Sequence, residues 1–77
     1  MSFNLEMTLS RKERAFERVV GLVGRRGYEI VGVTAELLDG GRSMAVRFTL
    51  ESERAPELLA AQLQKLQEVE DVCFNQI

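Results

Sequence analysis

Apolar residues in this chain follow two different periods, and the order in which those periods succeed one another restricts its topology more than any other feature. Phe3, Leu5, Met7 and Leu9 alternate with Asn4, Glu6 and Thr8, the two-residue period of a strand with one buried face. From Arg11 the period becomes helical, with Phe16, Val19, Val20 and Val23 on one stripe. Arg25 and Arg26 suit the negative end of that helix, and Gly27 can take the left-handed conformation that terminates it. Tyr28 to Leu37 is rich in β-branched residues and poor in charge, as a strand is, and Gly32 inside it marks a bulge or a close backbone approach. Asp39 to Arg42, "DGGR", predicts a hairpin turn because glycine supplies the positive φ that tight turns demand. Met44, Val46, Phe48 and Leu50 then alternate with Ala45, Arg47, Thr49 and Glu51. Pro56 fits the first turn of a second helix, with Leu59, Leu63 and Leu66 as its buried stripe, and Asp71 to Ile77 reads as a short last strand.

The order strand, helix, strand, strand, helix, strand, without repeat or linker, predicts one α+β domain over residues 1–77. Its topology is the ferredoxin-like βαββαβ arrangement, a four-stranded antiparallel sheet with two helices on one face. In that topology the second and fourth strands lie at the edges. The run Ile30, Val31, Gly32, Val33, Thr34 and Ala35 has no lysine or proline to blunt its free N–H and C=O groups, so it is expected to pair with a second copy, the other reading being a side chain or loop that covers it. With 77 residues the core is small, and support from a partner fits that size.

Composition removes several functions. No apolar run approaches the ~20 residues of a membrane span, and "MSFNLEMTLS" lacks the basic and apolar regions of a secretory leader, so a cytoplasmic protein with no membrane partner is expected. There is no histidine, and Cys73 is the only cysteine, which excludes paired-cysteine and histidine metal sites and an internal disulfide. Cys73 is expected to be a small buried or half-buried apolar residue rather than a reactive thiol. A nucleic-acid partner is disfavoured by the pI of about 5.1 and by the absence of stacking aromatics in "RSMAVRFTL", whose Phe48 falls on the core face. Glu68, Glu70 and Asp71 are expected to form a solvated helix end and turn rather than an acid/base or metal site. No cofactor and no catalysis are expected from this chain.

Charge is nevertheless segregated. Residues 11–26 carry six basic and two acidic side chains, and residues 51–71 carry two basic and six acidic ones. Such a split orients a docking partner, or places two mutually attracting solvated faces within one molecule.

The segment "AFERVVGLVGRRGYEIVGVT", Ala15 to Thr34, resembles a stretch written roughly V-L-S-R-V-x-G-L-F-S-R-R-G-Y-N-I-E-S-L-T in the ACT domains of acetolactate synthase regulatory (small) subunits. Phe16, Arg18, Val19, Gly21, Leu22, Val23, Arg25, Arg26, Gly27, Tyr28 and Ile30 match or substitute conservatively. Gln62, Leu63, Lys65, Leu66, Val69 and Val72 are similar to the same family's Q-L-x-K-L-x-x-V-x-x-V. The length resembles the short, single-domain type associated with isozyme II. The resemblance implies a non-catalytic subunit that dimerises by its sheet edge and activates or stabilises the large catalytic chain of branched-chain amino-acid biosynthesis. The thiamine diphosphate, Mg²⁺ and flavin of the family belong to that large chain.

In valine-sensitive relatives an Asn and a Gly before the first helix, and an Asn in Y-N-I, help bind the amino acid. The corresponding positions here are Arg11, Arg14 and Glu29. Asparagine both donates and accepts hydrogen bonds, whereas arginine only donates and ionised glutamate only accepts. Little or no valine binding is therefore expected. Arg11, Lys12 and Arg14 are expected to face the catalytic subunit or solvent, with Gly21 and Leu22 as further partner contacts. Ser10 and Glu13 have the spacing of a capping box that closes the helix start. Other readings of the whole are a free-standing ACT domain that senses an amino acid and a bare dimerisation module.

Overall fold

The structure is a computed structural model describing residues 1–12 and 14–77. In chain order it contains β1 (Ser2–Ser10), α1 (Ala15–Arg25), β2 (Glu29–Leu38), a single 3₁₀ turn (Asp39–Gly41), β3 (Ser43–Glu51), α2 (Pro56–Gln64) and β4 (Val69–Gln76). The strands form one antiparallel sheet in the order β2-β3-β1-β4. This is the βαββαβ topology expected from the periodicities, with β2 and β4 at the edges.

Alternation along β1 and β3 decides which face is covered. Phe3, Leu5, Leu9, Phe48 and Leu50 are fully buried together with Val19 and Val23 of α1 and Leu59 and Leu63 of α2. Asn4, Glu6, Thr8, Arg47 and Thr49 occupy the uncovered face, where Thr49 donates to the Asn4 side-chain oxygen at 2.9 Å and Arg47 pairs with Glu6 at 3.5 Å. Phe16 of α1 stacks on Phe48, with ring centroids 6.1 Å apart. Among the described residues no helix is long and apolar enough to cross a membrane.

The end of α1 is closed by backbone chemistry. Gly27, at φ +90°, lets its own N–H reach the Gly24 carbonyl at 3.1 Å and the Tyr28 N–H reach the Val23 carbonyl at 3.3 Å. This pair of bonds is the Schellman motif, and it turns the chain into β2. Tyr28 is buried edge-on to Phe3 and donates its hydroxyl to the Ala55 carbonyl at 2.7 Å. Burial raises the Tyr28 pKa, and Glu57 adds to the rise while Arg54 and a backbone hydrogen bond oppose it.

The structure corrects several expectations. α1 begins at Ala15 rather than Arg11, because Ser10 is held in β1 opposite Ser43 and its N–H bonds the Glu68 carbonyl. Ser10 is therefore not a helix cap; the N-cap is Arg14, with no side-chain cap bond, and Glu13 lies outside the described residues. Leu66 packs on the core from the turn after α2, which stops at Gln64. β4 starts at Val69, ahead of the expected Asp71, and bulges between the partners of Glu6 and Thr8, where Asp71 has φ 55°. Cys73, opposite Glu6 on the uncovered face, is exposed rather than buried.

Glu68 also departs from expectation. It is buried beneath α1, where Arg18 meets its carboxylate at 2.9 Å, while Glu70 and Asp71 remain exposed. A hydrogen bond from its own backbone N–H lowers its pKa most, the Arg18 side chain and the nearby Lys12 lower it further, and burial opposes them.

Candidate functional site

The corner between β1 and α1 is built by strand registry. Pairing of β1 with β3 brings Ser10 opposite Ser43, so the chain leaving β1 meets the β2–β3 turn. The Arg11 N–H donates to the Arg42 carbonyl at 3.0 Å, and the Arg11 guanidinium donates to the Gly41 carbonyl at 3.1 Å. One turn later the Ala15 N–H bonds the Lys12 carbonyl at 3.1 Å, and α1 starts.

Arg14 stands at that start in the left-handed region, φ 63° and ψ 22°. A side chain crowds the backbone in this conformation, which costs about 1–2 kcal/mol for most residues other than glycine. The backbone at Arg14 therefore has a glycine-like bend beneath a cationic side chain.

A cleft of about 500 Å³ opens beside this corner, bounded by Arg11, Lys12, Arg14 and Glu17 on its charged side and by Leu9, Ala15, Phe16, Ala35 and Met44 on its apolar side. Ala35 and Met44 reach it because β2 and β3 pair them onto the helix-covered face near its open rim. Of the three positions that the resemblance singled out, Arg11 and Arg14 thus come together. Glu29 does not: it sits opposite Glu51 at the other end of β2, on the uncovered face. The apolar side was not legible in the sequence, since Ala35 and Met44 become neighbours of Phe16 only through sheet registry.

The free edge of β2 is the second feature. A bulge between Ile30 and Gly32 shifts the strand by one residue, so that Val33, Ala35 and Leu37 pair with Phe48, Val46 and Met44 on the helix side. Val33 and Leu37 are nonetheless 44% and 57% exposed, and Val31 at the bulge is 49% exposed. No side chain or loop among the described residues covers this edge strand. A Cβ at Gly32 would stand 3.5 Å from Thr49, an ordinary contact, so this glycine serves the bulge rather than a tight approach.

On the outer face of α1, a Cβ at Gly24 would meet nothing within 4 Å and one at Gly21 only the end of the Arg25 side chain. Leu22 is half-buried against the core rather than projecting freely. Arg18–Glu68 and Arg47–Glu6 are the ion pairs among the described residues. The basic segment is therefore mostly not neutralised by the acidic one. No group of histidine, cysteine, aspartate or glutamate among the described residues is placed to hold a metal.

Comparison with known proteins assigns the family. The model of the ACT domain matches residues 4–72. This chain belongs to the ACT domain family. Solved ACT domains share its fold: that of the GTP pyrophosphokinase of Chlorobium tepidum superposes with a TM-score of 0.79 at 14% identity over 97% of each chain. An ACT domain protein from Streptococcus pneumoniae gives a TM-score of 0.73 at 16% identity, over 99% of this chain and 89% of that one. The formyltetrahydrofolate deformylase of Burkholderia mallei contains a similar unit, TM-score 0.77 at 16% identity, covering 97% of this chain but 28% of the larger protein. No match was found among curated protein sequences. The ACT domain is a regulatory, non-catalytic module typical of amino-acid sensing.

Proposed function

We propose that this ACT domain pairs through β2 into a homodimer and serves as the small subunit of acetolactate synthase, activating or stabilising the large catalytic chain while responding weakly or not at all to valine. The observation that carries the reading is the uncovered edge of β2, where Val31, Val33 and Leu37 lie exposed beside unpaired backbone groups. Such an edge gains both hydrogen bonds and apolar burial when a second copy adds to it. The run Arg25-Arg26-Gly27-Tyr28, which builds the Schellman corner, supports the particular subunit type. Arg11 and Arg14 in place of Asn and Gly support the weak valine response, because neither side chain can accept a hydrogen bond from an amino acid's ammonium. The open outer face of α1 at Gly21 and Gly24, with Leu22 on its shoulder and the cations of the corner at its start, is the surface offered to the large subunit.

Regulation then takes the form of linkage: contacts made preferentially with one conformation of the large chain shift its population towards that conformation. The test is to add the protein to the large subunit from the same genome and measure pyruvate condensation with and without valine. Higher activity with little valine inhibition is the expected result; no change in activity and no co-purification sink the assignment.

A further inference from the structure

We propose that the cleft between the end of α1 and the start of α2 is a docking socket for a carboxylate-bearing, apolar stretch of the large subunit. This deepens the reading of the protein as a small subunit and rests on it. The cleft holds about 230 Å³; Arg26, Arg54 and Gln62 supply its polar lining, and Tyr28, Leu58 and Leu59 its apolar lining. It shares no residue with the cleft at the β1–α1 corner, which lies at the other end of α1. Its volume is below that of small-molecule pockets and suits one or two inserted side chains.

Charge decides the occupant. Arg26 and Arg54 are the charged residues of the lining, both are exposed, and neither belongs to an ion pair among the described residues. Glu53 and Glu57 flank Arg54 in the chain, and Glu57 acts on Tyr28 through its charge, but neither carboxylate lines the cleft. Two uncompensated guanidiniums gain charge-assisted hydrogen bonds from a carboxylate, and arginine is enriched where protein chains meet. Beside them Leu58 is 59% exposed on the first turn of α2, an apolar surface that a second chain can bury. The Arg25 guanidinium, one residue before Arg26, lies beside Gly21, so the cations run on from the outer face of α1 into the cleft.

Both arginines are held in place before a partner arrives. The Arg26 guanidinium donates to the Gln62 side-chain oxygen at 3.3 Å. The Arg54 N–H donates to the Ser52 hydroxyl at 3.0 Å, and that hydroxyl donates to the Gly27 carbonyl at 2.8 Å. Gly27 leaves the room in which the Arg54 side chain lies, since a Cβ there would stand 2.9 Å from its Nε. Side chains fixed in this way lose less freedom on association.

The experiment measures association of the full chain with the large subunit from the same genome, by sedimentation at low and high salt. Arg26→Gln combined with Arg54→Gln should raise the Kd at least about tenfold and lessen its salt dependence. Leu58→Gln and Leu58→Glu separate apolar contact from charge. Both should fold, as urea unfolding checks, because the position is exposed and an acid suits the start of a helix. Leu58→Glu should weaken association at least about threefold beyond Leu58→Gln, by repelling the partner's carboxylate. Association that every variant leaves unchanged overturns the socket and spares the subunit assignment. A loss no greater for Leu58→Glu than for Leu58→Gln overturns the carboxylate as occupant. No association of the unaltered chain overturns the assignment itself, and the socket with it.

Discussion

Arg14 and Gly27 bracket α1 with positive φ values of 63° and 90°, and they meet that demand with opposite residue types. Glycine at residue 27 adopts it freely, and a Cβ there would stand 2.9 Å from the Arg54 Nε. Gly27→Ala is expected to cost about 1–2 kcal/mol in urea unfolding, from the left-handed strain alone. Arg14→Gly should leave stability unchanged or raise it by up to about 1 kcal/mol, because relief of strain outweighs or balances the flexibility that glycine adds to the unfolded chain. Glu68 supplies a pH-dependent term. Its folded pKa is lowered, chiefly by its own backbone N–H and then by Arg18, so its contribution is present above the unfolded carboxylate value and is lost as pH falls through the folded one. Glu68→Gln should therefore flatten the loss of stability on acidification below about pH 4.5. At neutral pH its cost should be only roughly 1 kcal/mol, since Arg18 is 64% exposed and solvent screens the pair. Thermal unfolding followed from pH 7 to 3 checks both statements.

At the scale of elements, β2 carries the consequence. Its bulge turns Val33, Ala35 and Leu37 to the helix side, where Val33 and Leu37 remain exposed. Val33→Lys puts a charge in the middle of this free edge, where it has little to disturb within one chain because the position is 44% exposed. Dimer dissociation, measured by sedimentation, should be at least about tenfold easier, with monomer stability within about 0.5 kcal/mol of the original. A second element-level bond is Tyr28 to Ala55, which ties the start of β2 to the N-cap of α2. Tyr28→Phe removes the donor and should cost about 1 kcal/mol, seen in chemical unfolding.

For the whole molecule, a fold of this size held by one apolar core is sensitive to association, since whatever binds the native state alone raises its apparent stability. The unfolding temperature should accordingly rise with protein concentration, and Val33→Lys should remove that dependence in calorimetry. The periodicities of Phe3–Leu9 and Met44–Leu50, the stripe of α1, Gly27 and the DGGR turn were legible as topology because each reports a local geometry: side chains two apart share a strand face, and glycine takes φ values others resist. The edge character of β2 followed from topology and needed no contact. Burial of Glu68, exposure of Cys73, the late start of α1 and the joining of Phe16, Ala35 and Met44 to the cations of the corner were not legible. Each depends on which distant strand or helix lies opposite, and a one-residue bulge at Val31 or Asp71 reassigns the faces that follow it. The sequence by itself determined the order, type and hand-over of the elements, through local conformational preference. Tertiary structure alone decided which charges were buried, bared or gathered around the cleft, because desolvation and registry are set by residues far away in the chain.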